Sequence, residues 1–340
     1  MSNTTPLTST PRVRRLSILG TLLALAVLLT GCQTTAPNPG GDIPSTVVGL
    51  TFIPNIQFAP FYIADSAGFY TDEVAISLRH HGAQEGLFTA LEIGDEQFVV
   101  AGGDEILQAR AQGIDIVAVA SYYGQYPARI IVPESSSITS VADLKGQRIG
   151  LPGKYGENWF ALLIALKEAG LTEDDVTIME IGYTLQAALT TDKVDAVIGF
   201  ANSDALAFAK AGFAIRAIDP KVPLVSICLG ATSVYVESHP EIVQAVVDAM
   251  KRGMQAALDD VEATLTIAAN YIPDFRDETL ATARIVLPAT TMLFLGEDGT
   301  TVSPPLRPAD WTAMARAMES VGLISAGTDE STAFTTTFSG

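Results

Sequence analysis

The sequence predicts an α/β protein in two lobes with a ligand cleft between them. Three features lead there: short β-branched runs alternate with helical patterns, the alternation runs through two successive series, and the last third of the chain is mostly helical. The first series places strands at 47–53, 74–78, 98–101 and 114–120. Strands this apolar, separated by helices, predict a parallel sheet covered on both faces. The second series, at 129–132, 148–151, 176–181, 194–200 and 214–218, predicts another α/β unit. The stretch 222–236 reads as strand again, and helices are expected over 239–271, 277–295 and 308–321. The chain therefore leaves lobe one near Tyr126 and returns near Val222, giving 46–126 and 223–340 to lobe one and 127–222 to lobe two. Ligands of such sheets bind beyond the carboxyl ends of strands, and in two lobes those ends face one cleft.

The N-terminus carries its own signal. Arg12, Arg14 and Arg15 precede a mostly apolar run over 16–29, and Leu29-Thr30-Gly31-Cys32 follows directly. The run falls short of the roughly 20 apolar residues that span a bilayer core, so 1–31 reads as a signal peptide. Leu-Thr-Gly-Cys resembles the bacterial lipobox, which implies cleavage just before Cys32, a lipid on its thiol and an extracytoplasmic, membrane-anchored protein. A plain secretory signal with a chance cysteine is the alternative. The segment 32–45, rich in Thr, Pro and Gly, is expected to be a flexible tether. Removing 1–31 takes away three arginines and no acid, so the charge moves from −18 to −21. A body this acidic is a poor nucleic-acid binder and is repelled by anionic lipid, which leaves the anchor to hold it at a membrane. Once Cys32 is lipidated only Cys228 remains, so stability must come from a core and not from a disulfide.

The segment Phe52-Ile53-Pro54-Asn55-Ile56-Gln57-Phe58-Ala59-Pro60-Phe61-Tyr62-Ile63-Ala64, followed by Gly68-Phe69-Tyr70, resembles the opening of the thiamin-pyrimidine synthases and their receptor relatives. The resemblance continues through Gly103-Asp104-Glu105, Ala109-Arg110-Ala111-Gln112-Gly113, Ser140-Val141-Ala142-Asp143-Leu144-Lys145-Gly146 and Val194-Asp195-Ala196-Val197. Taken in order, these motifs imply the two-lobed type II periplasmic-binding-protein fold. They also imply a receptor that serves the permease and ATPase subunits of an ABC importer.

The residues at the expected strand ends suit a binding cleft. Asn55, Gln57 and Phe58 follow the first strand, with Gln57 and Phe58 the better cleft candidates; Phe61 and Phe69 fit a core at helical spacing. Asp104 sits in a strand-to-helix turn, where helix capping alone would explain it. Tyr122, Tyr123 and Tyr126 cluster at the expected crossover, and aromatic faces there suit a flat ligand, with Tyr122 and Tyr126 the chosen candidates. In lobe two a glycine-rich loop offers Tyr155, Asn158 and Trp159, although Trp159 fits a core equally well. The loop lacks the spacing of a phosphate-binding or dinucleotide motif. Asn202 and Asp204 end another strand at the same rim, and a helix cap also accounts for Asn202.

An enzyme is disfavoured. The family's fungal synthases consume their own histidine beside a cofactor-bearing lysine and share a dense cysteine motif, and the corresponding turns here carry neither pair nor motif. His80 and His81 are adjacent at a strand end and are expected to point to opposite faces, and no metal-ligand or nucleophile spacing appears. No cofactor is expected. Where pyrimidine receptors of the family carry Asp, Trp and His, this sequence has Thr51, Phe52 and Phe58. The resemblance to the family's riboflavin-binding branch then implies riboflavin as the transported ligand. A thiamin-type pyrimidine or other small heterocycle, an organic anion such as a sulfonate, and an extracytoplasmic sensor role stay open.

Overall fold

The computed structural model describes residues 45–70, 74–82 and 85–338. The signal peptide, Cys32 and the tether up to residue 44 lie outside the described residues, while Ser45 already belongs to the first strand. Among the described residues no helix is long and apolar enough to cross a membrane.

Ten strands form two five-stranded sheets. In the first, β1 (Ser45–Leu50), β2 (Ala75–His80), β3 (Phe98–Gly102) and β4 (Val117–Ser121) are joined by the late β10 (Ile227–Ala231), in the order β2-β1-β3-β10-β4. In the second, β5 (Ala128–Pro133), β6 (Arg148–Leu151), β7 (Thr177–Glu180), β8 (Ala196–Phe200) and β9 (Ile215–Ile218) run in the order β7-β6-β8-β5-β9. The sheets are mixed and not parallel, which corrects the reading from composition. β10 pairs antiparallel with β3 and β4, and β5 antiparallel with β8 and β9. Each of these reversed strands is the first to enter a sheet after the chain crosses from the other one. Apolar composition records burial on both faces and carries no sign for strand direction.

Helices cover the sheets: α1 (Ala59–Ser66), α2 (Thr89–Ile93) and α3 (Gly103–Ala111) accompany the first, and α4 (Gly156–Glu168), α5 (Leu185–Thr190) and α6 (Asp204–Lys210) the second. The C-terminal part adds α7 (Ser233–Ser238), α8 (Pro240–Asp259), α9 (Val261–Ala268), α10 (Asp277–Leu293) and α11 (Pro308–Ser320). The expected strand over 222–236 is strand only at β10, because the Thr232 side chain accepts from the Tyr235 amide and caps α7. The expected helix over 239–271 is two, because the Asp260 side chain accepts from the Ala263 amide and opens α9.

Ile242, Val243, Val246, Val247, Met250 and Met254 fall on one face of α8 and are buried against α1. Gly253 permits that approach, since a Cβ there would lie 2.0 Å from the Pro60 carbonyl oxygen. The core of the second sheet joins α11 through Trp311 and Met314, which share a buried cluster with Phe160, Leu162 and Ile198. The C-terminal tail closes the β4 edge. Ala118 donates to the Ala333 carbonyl and accepts from the Thr335 amide, each at 2.9 Å, and Trp311 stacks on Phe334 at 4.9 Å.

A candidate binding cleft between the sheets

The carboxyl ends of β1, β3 and β4 turn toward the loops that follow β6, β7 and β8. Between them lies a cavity of about 50 Å3 lined by residues that include Thr51, Phe58, Glu105, Tyr122, Tyr123 and Glu157. Gln57 also lines it. Two larger hollows, of about 470 Å3 around residues 269–276 and about 350 Å3 between α6 and α10, gather no strand ends from both sheets. Clefts for drug-sized ligands hold about 300–1,000 Å3, so the cavity as it stands is too small for one.

Three acids form the floor. The turn Gly102-Gly103 leads β3 into α3, and the Glu105 carboxylate accepts from the Gly102 amide at 3.0 Å while the Asp104 carboxylate accepts from the Glu105 amide at 2.8 Å. The Tyr126 hydroxyl lies 2.6 Å from the other Asp104 oxygen and 3.0 Å from the Glu157 carbonyl oxygen. Glu157 comes from the first turn of α4, across the cleft. The approach is close: a Cβ on Gly102 would lie 3.2 Å from Glu157 Cγ, and one on Gly156 would lie 3.0 Å from Glu105 Oε1. Burial, and then the neighbouring Glu105 charge, pushes Asp104 up to about 8. Burial pushes Glu105 up to about 7. Burial, and then the Asp104 and Glu105 charges, holds Glu157 well above the carboxylate range. Among the described residues none of the three forms a salt bridge.

Aromatic rings form the walls and mouth. Tyr122 is buried, stacks on Phe61 at 5.4 Å and Tyr123 at 5.2 Å, and donates its hydroxyl to the Gln57 carbonyl. Phe58 meets His80 edge-on at 5.5 Å. At the rim Phe52 meets Tyr183 edge-on at 6.1 Å across the cleft, beside the exposed Tyr155.

Of the residues singled out from sequence, Gln57, Phe58 and Tyr122 line the cavity. Asp104 and Tyr126 lie just beneath it, joined to each other. Asn55 accepts from the Gln57 amide and caps the short 3-10 turn Ile56–Phe58. Asp204 accepts from the Phe200 amide and closes the turn into α6. Asn202 is buried and bridges the sheets, its Nδ2 donating to Thr290 of α10 at 3.0 Å. Trp159 packs in the core with the Lys154 ammonium 5.0 Å from its ring, and Asn158 keeps a buried, unpartnered Oδ1. Glu105, Tyr123, Glu157, Phe52 and Tyr183 complete the site. The tyrosine cluster and the Gly-Gly turn were visible signals, but the meeting of Glu105 with Glu157 depends on how the halves pack.

His80 and His81 do point apart. His80 Nε2 lies 3.0 Å from the Tyr62 hydroxyl, whereas His81 Nε2 lies 2.9 Å from the buried Glu96 carboxylate. His81, Glu85 and Glu96 bring ligand atoms within 4.8 Å of one another. The Arg79 guanidinium bridges Glu85 and Glu96 at 2.6 Å each, so the group reads as an ion-pair network, buried at His81 and Glu96 and open to solvent at Arg79.

The chain is 30% identical over 345 residues to the riboflavin-binding protein RibY of Chloroflexus aurantiacus, covering 95% of this chain and 97% of that one. It is 24% identical over 263 residues to the formylaminopyrimidine-binding protein of Halalkalibacterium halodurans, covering 75% and 78%. The periplasmic aliphatic sulphonate binding protein SsuA of Escherichia coli superposes with a TM-score of 0.68 at 19% identity, over 85% of this chain and 91% of that one. The fold is thus that of the periplasmic binding proteins. Residues 55–263 match the family described as NMT1/THI5 like, and the chain belongs to that family.

Proposed function

We propose that this protein is the extracytoplasmic receptor of an ABC importer and that it captures riboflavin, without catalysis and without a resident cofactor. The observation that carries the reading is the 30% identity to a riboflavin-binding protein along 95% of the chain. The geometry supports it: rings at the walls and rim suit a fused aromatic ligand, and the floor suits its hydroxyls. In this reading the lobes are 46–126 with 223–340 and 127–222, and they part about the two crossings to admit the ligand. A permease and an ATPase take the ligand onward. Cys32 carries the lipid that holds the receptor at the membrane, the motivation being the lipobox-like Leu29-Thr30-Gly31-Cys32.

A thiamin-precursor pyrimidine is the second reading. The likeness to a formylaminopyrimidine-binding protein favours it, and so does a floor of carboxyl groups, which suits an aminopyrimidine edge. One fractionation tests the proposal. In cells expressing the chain, riboflavin binding, read by flavin quenching, is expected to sediment with the membranes, and Cys32→Ser is expected to move it undiminished to the soluble fraction. Absence of flavin binding from both fractions counts against the receptor reading, and binding that stays with the membranes counts against the anchor.

A further inference from the structure

We infer that the cleft takes its ligand polar end first, with hydroxyl or N–H donors against Glu105 and Glu157 and the aromatic end at the rim between Phe52 and Tyr183, and that it rejects anions. The inference deepens the riboflavin reading and in its first probes rests on it. Three observations carry it.

The first is the kind of polar atom left unpartnered. Glu157 lines the cavity, is nine-tenths buried and its Oε1 has no hydrogen-bond partner; Asn158 Oδ1, on the next residue, and Asn202 Oδ1, in the loop after β8, are likewise unpartnered. The two asparagine oxygens are acceptors, and the Glu157 carboxyl, which burial keeps protonated, offers one acceptor oxygen and one O–H donor. A buried polar atom without a partner costs stability, so one kept at the cavity wall is suited to completion by a ligand. A hydroxyl, which both donates and accepts, completes either kind of atom.

The second is charge. Asp104, Glu105 and Glu157 converge from both sides, and among the described residues none of them forms a salt bridge. A sulfonate or phosphate at this floor would face like charge, or carboxyls forced to stay protonated, while the cations of the nearby loops are engaged elsewhere, Lys154 with Glu173 at 2.7 Å and Arg129 with the Tyr126 and Ala128 carbonyls at 2.8 Å each. The third is the gradient from floor to mouth. Tyr183 is 70% and Tyr155 59% exposed at the rim, while the floor beneath is acidic. An amphipathic ligand has only one favourable direction in such a cleft. For riboflavin, the ribityl hydroxyls point down and the rings out.

The test is a calorimetric titration of the detergent-solubilised full chain with riboflavin, its 5′-phosphate and lumichrome, which lacks the ribityl chain. Relative to riboflavin, lumichrome should bind about tenfold and the phosphate about 100-fold more weakly. Glu157→Gln should weaken riboflavin about tenfold and narrow the discrimination against the phosphate. Because Glu157 Oε1 satisfies nothing in the ligand-free protein, the same substitution should leave the melting temperature unchanged or higher. Equal affinity for riboflavin and its phosphate overturns the inference, as does unaltered riboflavin binding by both Glu157→Gln and Glu105→Gln.

If riboflavin does not bind at all, the riboflavin reading fails and the inference is read on thiamin against an alkanesulfonate. Thiamin binding that Glu157→Gln weakens upholds it, and alkanesulfonate binding overturns it. With no ligand bound, a melting temperature lowered by several degrees in Glu157→Gln makes the carboxyl structural and also overturns it.

Discussion

A carboxyl group buried without a cation is stable only while it keeps its proton, and that gives the floor of the cleft a pH signature. Asp104 and Glu105 are pushed up to about 8 and about 7 from ordinary values of 3.8 and 4.5. Between those limits the folded chain binds more protons than the unfolded chain, so stability falls as pH rises through that window. The groups facing them are Tyr123 and Tyr126, whose hydroxyls are pushed up by burial, Tyr183, also raised, and the buried Cys228 thiol, likewise raised. None of these charges between pH 5 and 8. Surface acids such as Asp298, lowered to about 2 by hydrogen bonds from Thr301 and Thr300, lose their contribution only at the acid end. The ligand-free protein should therefore melt at a lower temperature near pH 8 than near pH 5.5, and Glu105→Gln should flatten the slope. A melting temperature that rises over that interval, or a slope indifferent to Glu105→Gln, would show these carboxyls to be ordinary. Asp104 was legible from sequence as a turn residue; its burial and its acidic neighbour from α4 were not, because no local pattern records which loops meet.

At the scale of elements, strand positions followed from apolar runs, and each sheet contains the strands that the alternation predicted. Direction did not follow, since β5 and β10 are as apolar as their parallel neighbours and reverse only because the chain enters from the other sheet. Caps were equally hard to weigh: Thr232 and Asp260 lie within runs whose composition continues past them. Trp159 shows the same limit in α4. Its position after a glycine-rich loop suited a ligand-stacking ring, yet one helical turn places it 7% exposed against the core. Trp159→Ala should consequently destabilise the fold by about 3–5 kcal/mol, the range for truncating a buried aromatic. Urea unfolding checks this. A loss below about 1 kcal/mol accompanied by weakened ligand binding would return the ring to the cleft.

At the scale of the whole molecule, the two sheets and the facing loops enclose a cavity too small for riboflavin as it stands, so the proposed capture requires the halves to part. Asn202 to Thr290 and Lys210 to Glu278, at 3.0 and 2.9 Å, fasten α10 to the second sheet's loops and helices. The doubled α/β pattern made two sheets legible in the sequence, whereas the small cavity between them depends on packing between segments far apart in the chain. The central claim, capture of riboflavin between the lobes, is tested most directly by titrating the purified protein in parallel with riboflavin and with hydroxymethylpyrimidine and following heat and flavin fluorescence. The account predicts saturable quenching at one flavin per chain, with a Kd of about 1 μM or tighter (about −8 kcal/mol), and weak pyrimidine binding. Tight pyrimidine binding with no flavin response would contradict it.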